Sequence, residues 1–306
     1  MKIAIVGAGA MGSLFAYLLS RAGYSPWLLD KHRERVDAIK KDGLKVEDMS
    51  GSHQVILPTI STRPEDVGIV DLLIICVKAY DTREAIRGAV PLIGERTLVL
   101  TLQNGLNNIR SIAGIAGRER VIGGVTAQGA TQLGLGHIRH AGIGETIIGS
   151  VQGEKIKDID KIKQLLGSSG IKTAITEDLV GTIWGKLIIN AAINPLTALT
   201  QLRNGEIIEH AELLDVQSKI VEEACAVAKA QGITVHYPDA VAKIKEVCEA
   251  TASNKSSMLQ DIQSGKKTEI DYINGAIVSE GKKHHIPAPY NQIVTRLIKA
   301  LEIQTI

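Results

Sequence analysis

The run Lys2–Val6 is apolar and stops abruptly at glycines. Residues Gly12–Gly23 then place Leu14, Phe15, Leu18 and Leu19 on one side at helical spacing. Ser25–Asp30 (SPWLLD) reads as a second strand, and Arg33–Lys41 as a polar helix. Leu44–Glu47 and His53–Ile60 look like an antiparallel excursion. Asp71–Val77 (DLLIICV) lacks alternation and so predicts a strand buried on both faces. Asp81–Ala89 predicts a helix, and Thr97–Leu102 (TLVLTL) another buried strand. Further strands are expected at Val121–Ala127, His137–Ala141, Thr146–Ile148 and Lys172–Ile175, with a helix at Asp158–Leu166 before the last. Strands alternating with helices imply a mostly parallel sheet with right-handed crossovers, that is, a doubly wound α/β domain.

Beyond Thr176 strand signals nearly vanish. Leu179–Leu202, Ile207–Gln231, Asp239–Ala250, Lys255–Ser264, Glu269–His284 and Tyr290–Glu302 all read as helices. The second is amphipathic, with Ile207, Ile208, Ala211, Leu214 and Val221 opposed to Glu209, Glu212, Asp215 and Lys219, and Gly232 ends it. The expected organisation is an α/β domain over residues 1–176 and an all-α domain over residues 177–306. Repeats and low-complexity linkers are not evident.

Composition narrows the function classes. Aromatics make up only 3% of the 306 residues, so the core must be built from aliphatic side chains. With 35 basic and 33 acidic residues the net charge is +2, too balanced for a nucleic-acid partner. Cys76, Cys225 and Cys248 are dispersed and read as reduced, buried thiols. The opening MKIAIVGAGAMG enters a strand directly and lacks the pattern of a signal peptide, so a cytoplasmic location is expected. Leu179–Leu202 is long enough to span a bilayer. Lys186, Asn190, Asn194 and Pro195 within it favour a helix buried in protein, with no membrane partner.

The candidate chemistry begins at Gly7-Ala8-Gly9-Ala10-Met11-Gly12, a GxGxxG between a strand and a helix. The first glycine permits the tight turn, the second lets backbone approach a pyrophosphate, and the third lets helix and strand pack closely. The helix N-terminus adds free N–H groups for the phosphates. This context makes the first domain Rossmann-type. Asp30 ends the next strand, where a carboxylate holds the ribose hydroxyls of NAD and repels a 2′-phosphate. Lys31, Arg33 and Arg35 follow at once, and they either hold that phosphate or form a solvated helix start. Lys78 and Asn104 follow buried strands and are placed to reach a ligand beyond the strands' carboxyl ends.

In Trp184–Leu199 (WGKLIINAAINPLTAL), Lys186, Asn190 and Asn194 share one face of an otherwise apolar helix. A buried ammonium needs a partner, either an interdomain carboxylate or the carboxylate or carbonyl oxygen of a substrate. A lysine with a pKa lowered by burial can act as general acid, protonating the oxygen left when hydride reaches a ketone. Pro195 is expected to break or kink the helix just past Asn194. Ser256 and Ser257 precede a helix and read by default as caps. Glu269 is either a capping-box acid or the carboxylate that pairs with Lys186 or the cofactor. His137/His140 and His284/His285 lack a third ligand at metal spacing, so no metal site is expected.

Taken together, GAGAMG at 7–12, VKAY at 77–80, QNG at 103–105, WGKLIINAAINPLTAL at 184–199, RNGE at 203–206, SSMLQDI at 256–262 and TEIDYINGAIV at 268–278 resemble the ketopantoate reductase (2-dehydropantoate 2-reductase) family along essentially the whole chain. The resemblance implies NADPH-dependent reduction of 2-dehydropantoate to (R)-pantoate, a step toward pantothenate and coenzyme A. It implies Lys186 as general acid and Asn104, Asn190, Asn194, Asn204 and Ser257 as substrate contacts. It also implies Glu269 as an active-site or cofactor carboxylate, Lys78 as a cofactor-side cation and Lys31 as the 2′-phosphate contact. NADP(H) is thereby favoured, while Asp30 departs from the commonest family pattern and keeps NAD(H) open. The expected partner is a small-molecule 2-keto acid, with a homodimer as the oligomeric state to consider. Two other readings stay open: a related 2-hydroxyacid or 3-hydroxyacid dehydrogenase, and a dinucleotide-binding regulator without turnover.

Overall fold

The structure, a computed structural model, describes residues 1–151, 156 and 158–305. It divides into two compact units: Met1–Gln103 with Asn107–Leu179, and Asn104–Leu106 with Val180–Ile306.

The first unit holds strands β1 (Ile3–Val6), β2 (Trp27–Leu29), β3 (Leu44–Glu47), β4 (His53–Ile56), β5 (Thr59–Ser61), β6 (Leu72–Ile75), β7 (Leu98–Thr101), β8 (Val121–Thr126), β9 (Gly129–Gly134), β10 (His137–Gly142), β11 (Thr146–Ser150) and β12 (Thr173–Ile175). Its helices are α1 (Ala10–Arg21), α2 (Arg33–Asp42), α3 (Thr82–Gly88), α4 (Asn108–Ala116) and α5 (Ile159–Ser168). Among the described residues, eight strands form one sheet in the order β12-β11-β8-β7-β6-β1-β2-β5. Neighbours are parallel except β8 and β11. Both faces are buried. Ile3, Ile5, Leu72 and Ile74 pack into one core, and Ala4, Leu73 and Ile75 into the other. That double burial is why these strands are apolar at successive positions. The chain leaves β1 in opposite directions toward β2 and β6, so β1 lies at the point where the strand order reverses.

Two readings of the first unit are corrected, and two elements are added to them. His53–Ile60 is two strands: β4 pairs antiparallel with β3, while β5 pairs parallel with β2. Pro58 falls between them and has no N–H to continue a ladder. The strand at His137 belongs to a separate four-stranded sheet, β4-β3-β10-β9. Its hairpin partner β9 (GATQLG) was not expected, because glycine at both ends obscures the strand signal. Helix α4 was missed for the same reason, with glycine and alanine diluting its periodicity.

The second unit is built from α6 (Leu179–Thr200), α7 (Ala211–Ala230), α8 (Ala240–Ala250), α9 (Ser257–Gln263), α10 (Asn274–Lys283) and α11 (Pro289–Thr305), α6 entering it at Val180. Trp184, Leu187, Ile188, Ala191 and Ala192 of α6 pack with Ile220, Val221, Ala224, Ile244, Ile277 and Ile298 of the other helices. Helix α6 has the length and hydropathy of a membrane span, yet 67% of its apolar window is buried inside the protein. One expectation is narrowed here and one fails. Of a break or a kink at Pro195, the break is absent: helix α6 runs through to Thr200. The Ala191 carbonyl, which loses its partner when residue 195 is proline, accepts a hydrogen bond from the Asn274 side chain at 3.0 Å. Likewise the helix expected from Glu269 starts only at Asn274, after a short 3₁₀ turn over Ile270–Tyr272. The Tyr272 carbonyl accepts the Leu106 N–H at 3.0 Å and so does not extend the helical ladder.

Candidate active site

The glycine turn has the shape a dinucleotide phosphate needs. Gly7 has φ +104°, and a Cβ there would meet the Cys76 backbone at 2.9 Å. A Cβ at Gly12 would lie 1.8 Å from the Gly7 carbonyl oxygen. These two glycines make the turn itself. Gly9 is different: a Cβ on it would have nothing within 4 Å. Its hydrogen leaves an open approach at the cap of α1, where Ala10 and Met11 begin the helix.

Asp30 ties this turn to the end of β2. Its Oδ2 accepts the Ala8 N–H at 2.8 Å and the Arg35 guanidinium at 2.6 Å, and its Oδ1 accepts the His32 N–H at 2.8 Å. The Asp30–Arg35 pair is largely buried, with side chains 3% and 17% exposed. Lys31 is exposed and bridges Asp81 at 3.0 Å and Glu84 at 3.2 Å, and the hydrogen bonds it donates to these carboxylates raise its pKa. Lys78 stands just past β6, half-buried, with its carbonyl accepting the Asp81 N–H. Gln103, just past β7, donates to the Val77 carbonyl at 2.6 Å and to Thr82 Oγ1 at 2.8 Å. It thereby ties together the loops that follow β6 and β7.

Residues 104–106 belong to the second unit despite their place in the sequence. Gly105 makes this docking feasible: φ is +86°, and a Cβ would meet the Tyr272 carbonyl oxygen at 2.6 Å. Asn104 thus comes to α6, where the Asn190 side chain donates to its Oδ1 at 3.5 Å, the outer limit of a hydrogen bond. Lys186, Asn190 and Asn194 lie one turn apart along α6. Burial pushes the Lys186 ammonium down to about 8, and the charge of Glu269 acts in the opposite direction. Glu269 is itself buried, and as the residue before the 3₁₀ turn it makes no side-chain cap bond. This carboxylate, whose charge acts on Lys186, belongs to the same unit.

Three amides carry unpartnered buried atoms among the described residues: Asn194 Nδ2, Asn204 Oδ1 and Asn274 Oδ1. Asn204 donates through its Nδ2 to Thr251 Oγ1 at 2.9 Å. The serines divide their roles. Ser256 is the cap of α9, accepting the Leu259 N–H at 3.1 Å, while Ser257 is exposed at the first helical position. The structure thus brings Asn104, Lys186, Asn190 and Glu269 together in the second unit, and the glycine turn, Asp30 and Arg35 in the first.

Sequence spacing did not reveal two further groupings. Glu47, His53 and His137 converge on the outer face of the small sheet, with ligand atoms within 4.8 Å of one another. Strand register, not sequence distance, puts Glu47 opposite His53. The Arg139 guanidinium already occupies Glu47 at 2.6 Å, and its charge opposes a cation there. The other grouping is Asn274 beneath α6. Its signal was Pro195, which obliges some donor to reach the Ala191 carbonyl. The three cysteines are free, and burial raises each thiol, Cys76 to about 12.

Profiles of the ketopantoate reductase PanE/ApbA family match residues 3–153, and those of its C-terminal domain match residues 178–302. The chain is 38% identical over 302 residues to a 2-dehydropantoate 2-reductase of Pyrococcus abyssi, covering 99% of this chain and 98% of the relative. It superposes on a PanE/ApbA family ketopantoate reductase from Ralstonia eutropha with TM-score 0.89 and 33% identity, covering 100% and 99% of the two chains. A ternary structure of D-mandelate dehydrogenase with NADH and anilino(oxo)acetate superposes with TM-score 0.95 and 30% identity, with the same coverage. The motifs along the chain, the sheet that carries the glycine turn, the helical second unit and these likenesses agree: the chain belongs to the ketopantoate reductase family of oxidoreductases.

Proposed function

We propose that this chain reduces 2-dehydropantoate to (R)-pantoate, with NADPH as electron donor and Lys186 as general acid. The observation that carries the chemistry is Lys186 itself: an ammonium lowered to about 8 by burial, beside Glu269 and on one helix face with Asn190 and Asn194. The substrate comes from the relatives, which bear the name 2-dehydropantoate 2-reductase. A bound nicotinamide supplies the hydride that reduces the keto carbon. Lys186 Nζ gives its proton to the carbonyl oxygen and recovers one from solvent. Glu269 favours the charged form of Lys186 and so keeps the donor loaded between turnovers. Asn104, Asn190, Asn194, Asn204 and Ser257 hold the carboxylate and hydroxyl of the substrate, and the buried unpartnered Nδ2 of Asn194 is a donor suited to that task. The glycine turn and α1 hold the pyrophosphate, with Gly9 the point of closest approach. Lys31 and Lys78 serve the cofactor's phosphates.

A second reading concerns both cofactor and substrate: an NAD(H)-dependent 2-hydroxyacid dehydrogenase. Asp30 at the end of β2 and the pairing of Lys31 with Asp81 and Glu84 favour it, because all three carboxylates oppose a 2′-phosphate. So does the likeness to D-mandelate dehydrogenase. Steady-state assays with ketopantoate and with the 2-keto acid of mandelate, each against NADPH and NADH, separate the readings. Ketopantoate-dependent oxidation of NADPH is expected. Nucleotide binding with no turnover of either keto acid would leave the regulator.

A further inference from the structure

Resting on the reading of the α6 face as the substrate site, we infer that Asn274 is a positioning residue: it replaces the hydrogen bond that Pro195 removes and so keeps the catalytic face of α6 continuous. In an α-helix the N–H of residue i bonds the carbonyl of residue i−4. Residue 195 is proline, so the Ala191 carbonyl has no helical donor, and the proline ring pushes that carbonyl outward. Ala191 is fully buried, so its carbonyl does not find bulk water. The donor is Asn274 Nδ2 at 3.0 Å, from the first turn of α10 and itself fully buried.

The orientation of this amide is set by its surroundings. Asn274 Nδ2 also donates to Asn291 Oδ1 at 3.1 Å. Asn291 Nδ2 donates in turn to the Ile220 carbonyl at 3.2 Å and to Glu223 Oε2 at 2.8 Å. Glu223 takes the backbone N–H groups of Tyr290 and Asn291 at 2.8 and 3.0 Å, fixing the start of α11. Because the chain ends on a carboxylate and a carbonyl, both amides must present N–H in this direction. Flipping Asn274 would set oxygen against oxygen at Ala191 and at Asn291. A network from α7 and α11 through α10 therefore ends on the one carbonyl of α6 that proline has stripped.

The position of that carbonyl gives the network its functional weight. Ala191 follows Asn190 directly and lies one turn before Pro195, which follows Asn194. Asn194 is the amide whose Nδ2 is buried without a partner. Slack at the Ala191 carbonyl moves Asn194 relative to Asn190 and Lys186 while leaving each of them present.

A double-mutant cycle of N274A and P195A tests the inference, because P195A restores the backbone N–H that Ala191 lacks. In the native background N274A is expected to lower kcat/KM for ketopantoate about tenfold or more, mainly through KM. In the P195A background the same substitution is expected to cost under about threefold, since only the bond to Asn291 is then lost. The midpoint of thermal unfolding is followed through the same cycle. Equal effects of N274A in both backgrounds, on KM and on the midpoint, would overturn the inference. If N274A alone does not fold, recovery of folded protein by P195A/N274A supports it, and failure of both variants to fold overturns it. Should the native protein prove inactive on ketopantoate, the functional reading falls, and coupling in the unfolding midpoint still decides the role of Asn274.

Discussion

In the function proposed above the chemistry turns on Lys186, the α6 ammonium whose pKa burial lowers. Its folded pKa of about 8 stands below the ordinary 10.5, so the acid form still predominates at neutral pH and is lost as pH rises through about 8. The rate of keto-acid reduction is therefore expected to hold level up to that region and to fall above it. A pH–rate profile with no fall before pH 10 would remove Lys186 from the proton transfer. K186A is expected to reduce kcat by about 10²–10⁴-fold while dinucleotide affinity stays near native. The contrast with Asn194 is instructive. Its buried Nδ2 has no partner among the described residues, so on the proposed function N194A removes a donor to substrate without breaking a hydrogen bond made by that nitrogen. Loss of roughly tenfold in kcat/KM, carried by KM, with an unchanged unfolding midpoint is the expected result. The polar face was legible in the spacing of a lysine and two amides along an apolar helix. The identity of the carboxylate beside Lys186 was not, because Glu269 lies more than eighty residues away in sequence.

In the turn between β1 and α1, three glycines that look equivalent in GxGxxG do different things. Gly12 is packed against the Gly7 carbonyl, and Gly7 needs positive φ, so G12A is expected to destabilise the first unit strongly. Gly9 has φ −72° and open space beside it, so G9A should fold at least as well as the native protein. On the proposed function the added methyl nevertheless stands where the pyrophosphate approaches. Titration of NADPH or NADH should show dinucleotide affinity falling about tenfold or more in G9A with the unfolding midpoint intact. Unchanged affinity would place the phosphates elsewhere. Elements that are apolar nearly throughout because they are buried on all sides, such as β6, β7 and α6, could be found from the chain alone. Those set by partners could not. Residues 53–60 change sheets around Pro58, and the start of α10 is delayed by a hydrogen bond from Leu106.

At the scale of the whole molecule, ligand binding and stability are linked. A dinucleotide that binds only folded protein should stabilise it by about 2.7 kcal/mol when present at about 100 times its Kd. Thermal unfolding with NADPH and NADH at matched concentrations ranks the two cofactors independently of turnover, and G9A should flatten both responses. Equal shifts in the native and G9A proteins would argue that binding bypasses the glycine turn. The linear chain was enough to establish two architectures, a glycine turn for phosphates and a polar face on an apolar helix, because strand and helix periods and steric demands act over a few residues. Folding alone settled which atoms those features meet. It committed Asp30 to Ala8 and Arg35, set Asp81 and Glu84 on Lys31, put Glu269 near Lys186 and carried Asn274 to the carbonyl freed by Pro195. Hydrogen bonds and charges act over a few ångströms of space, and the residues that share that space are chosen by packing rather than by their order along the chain.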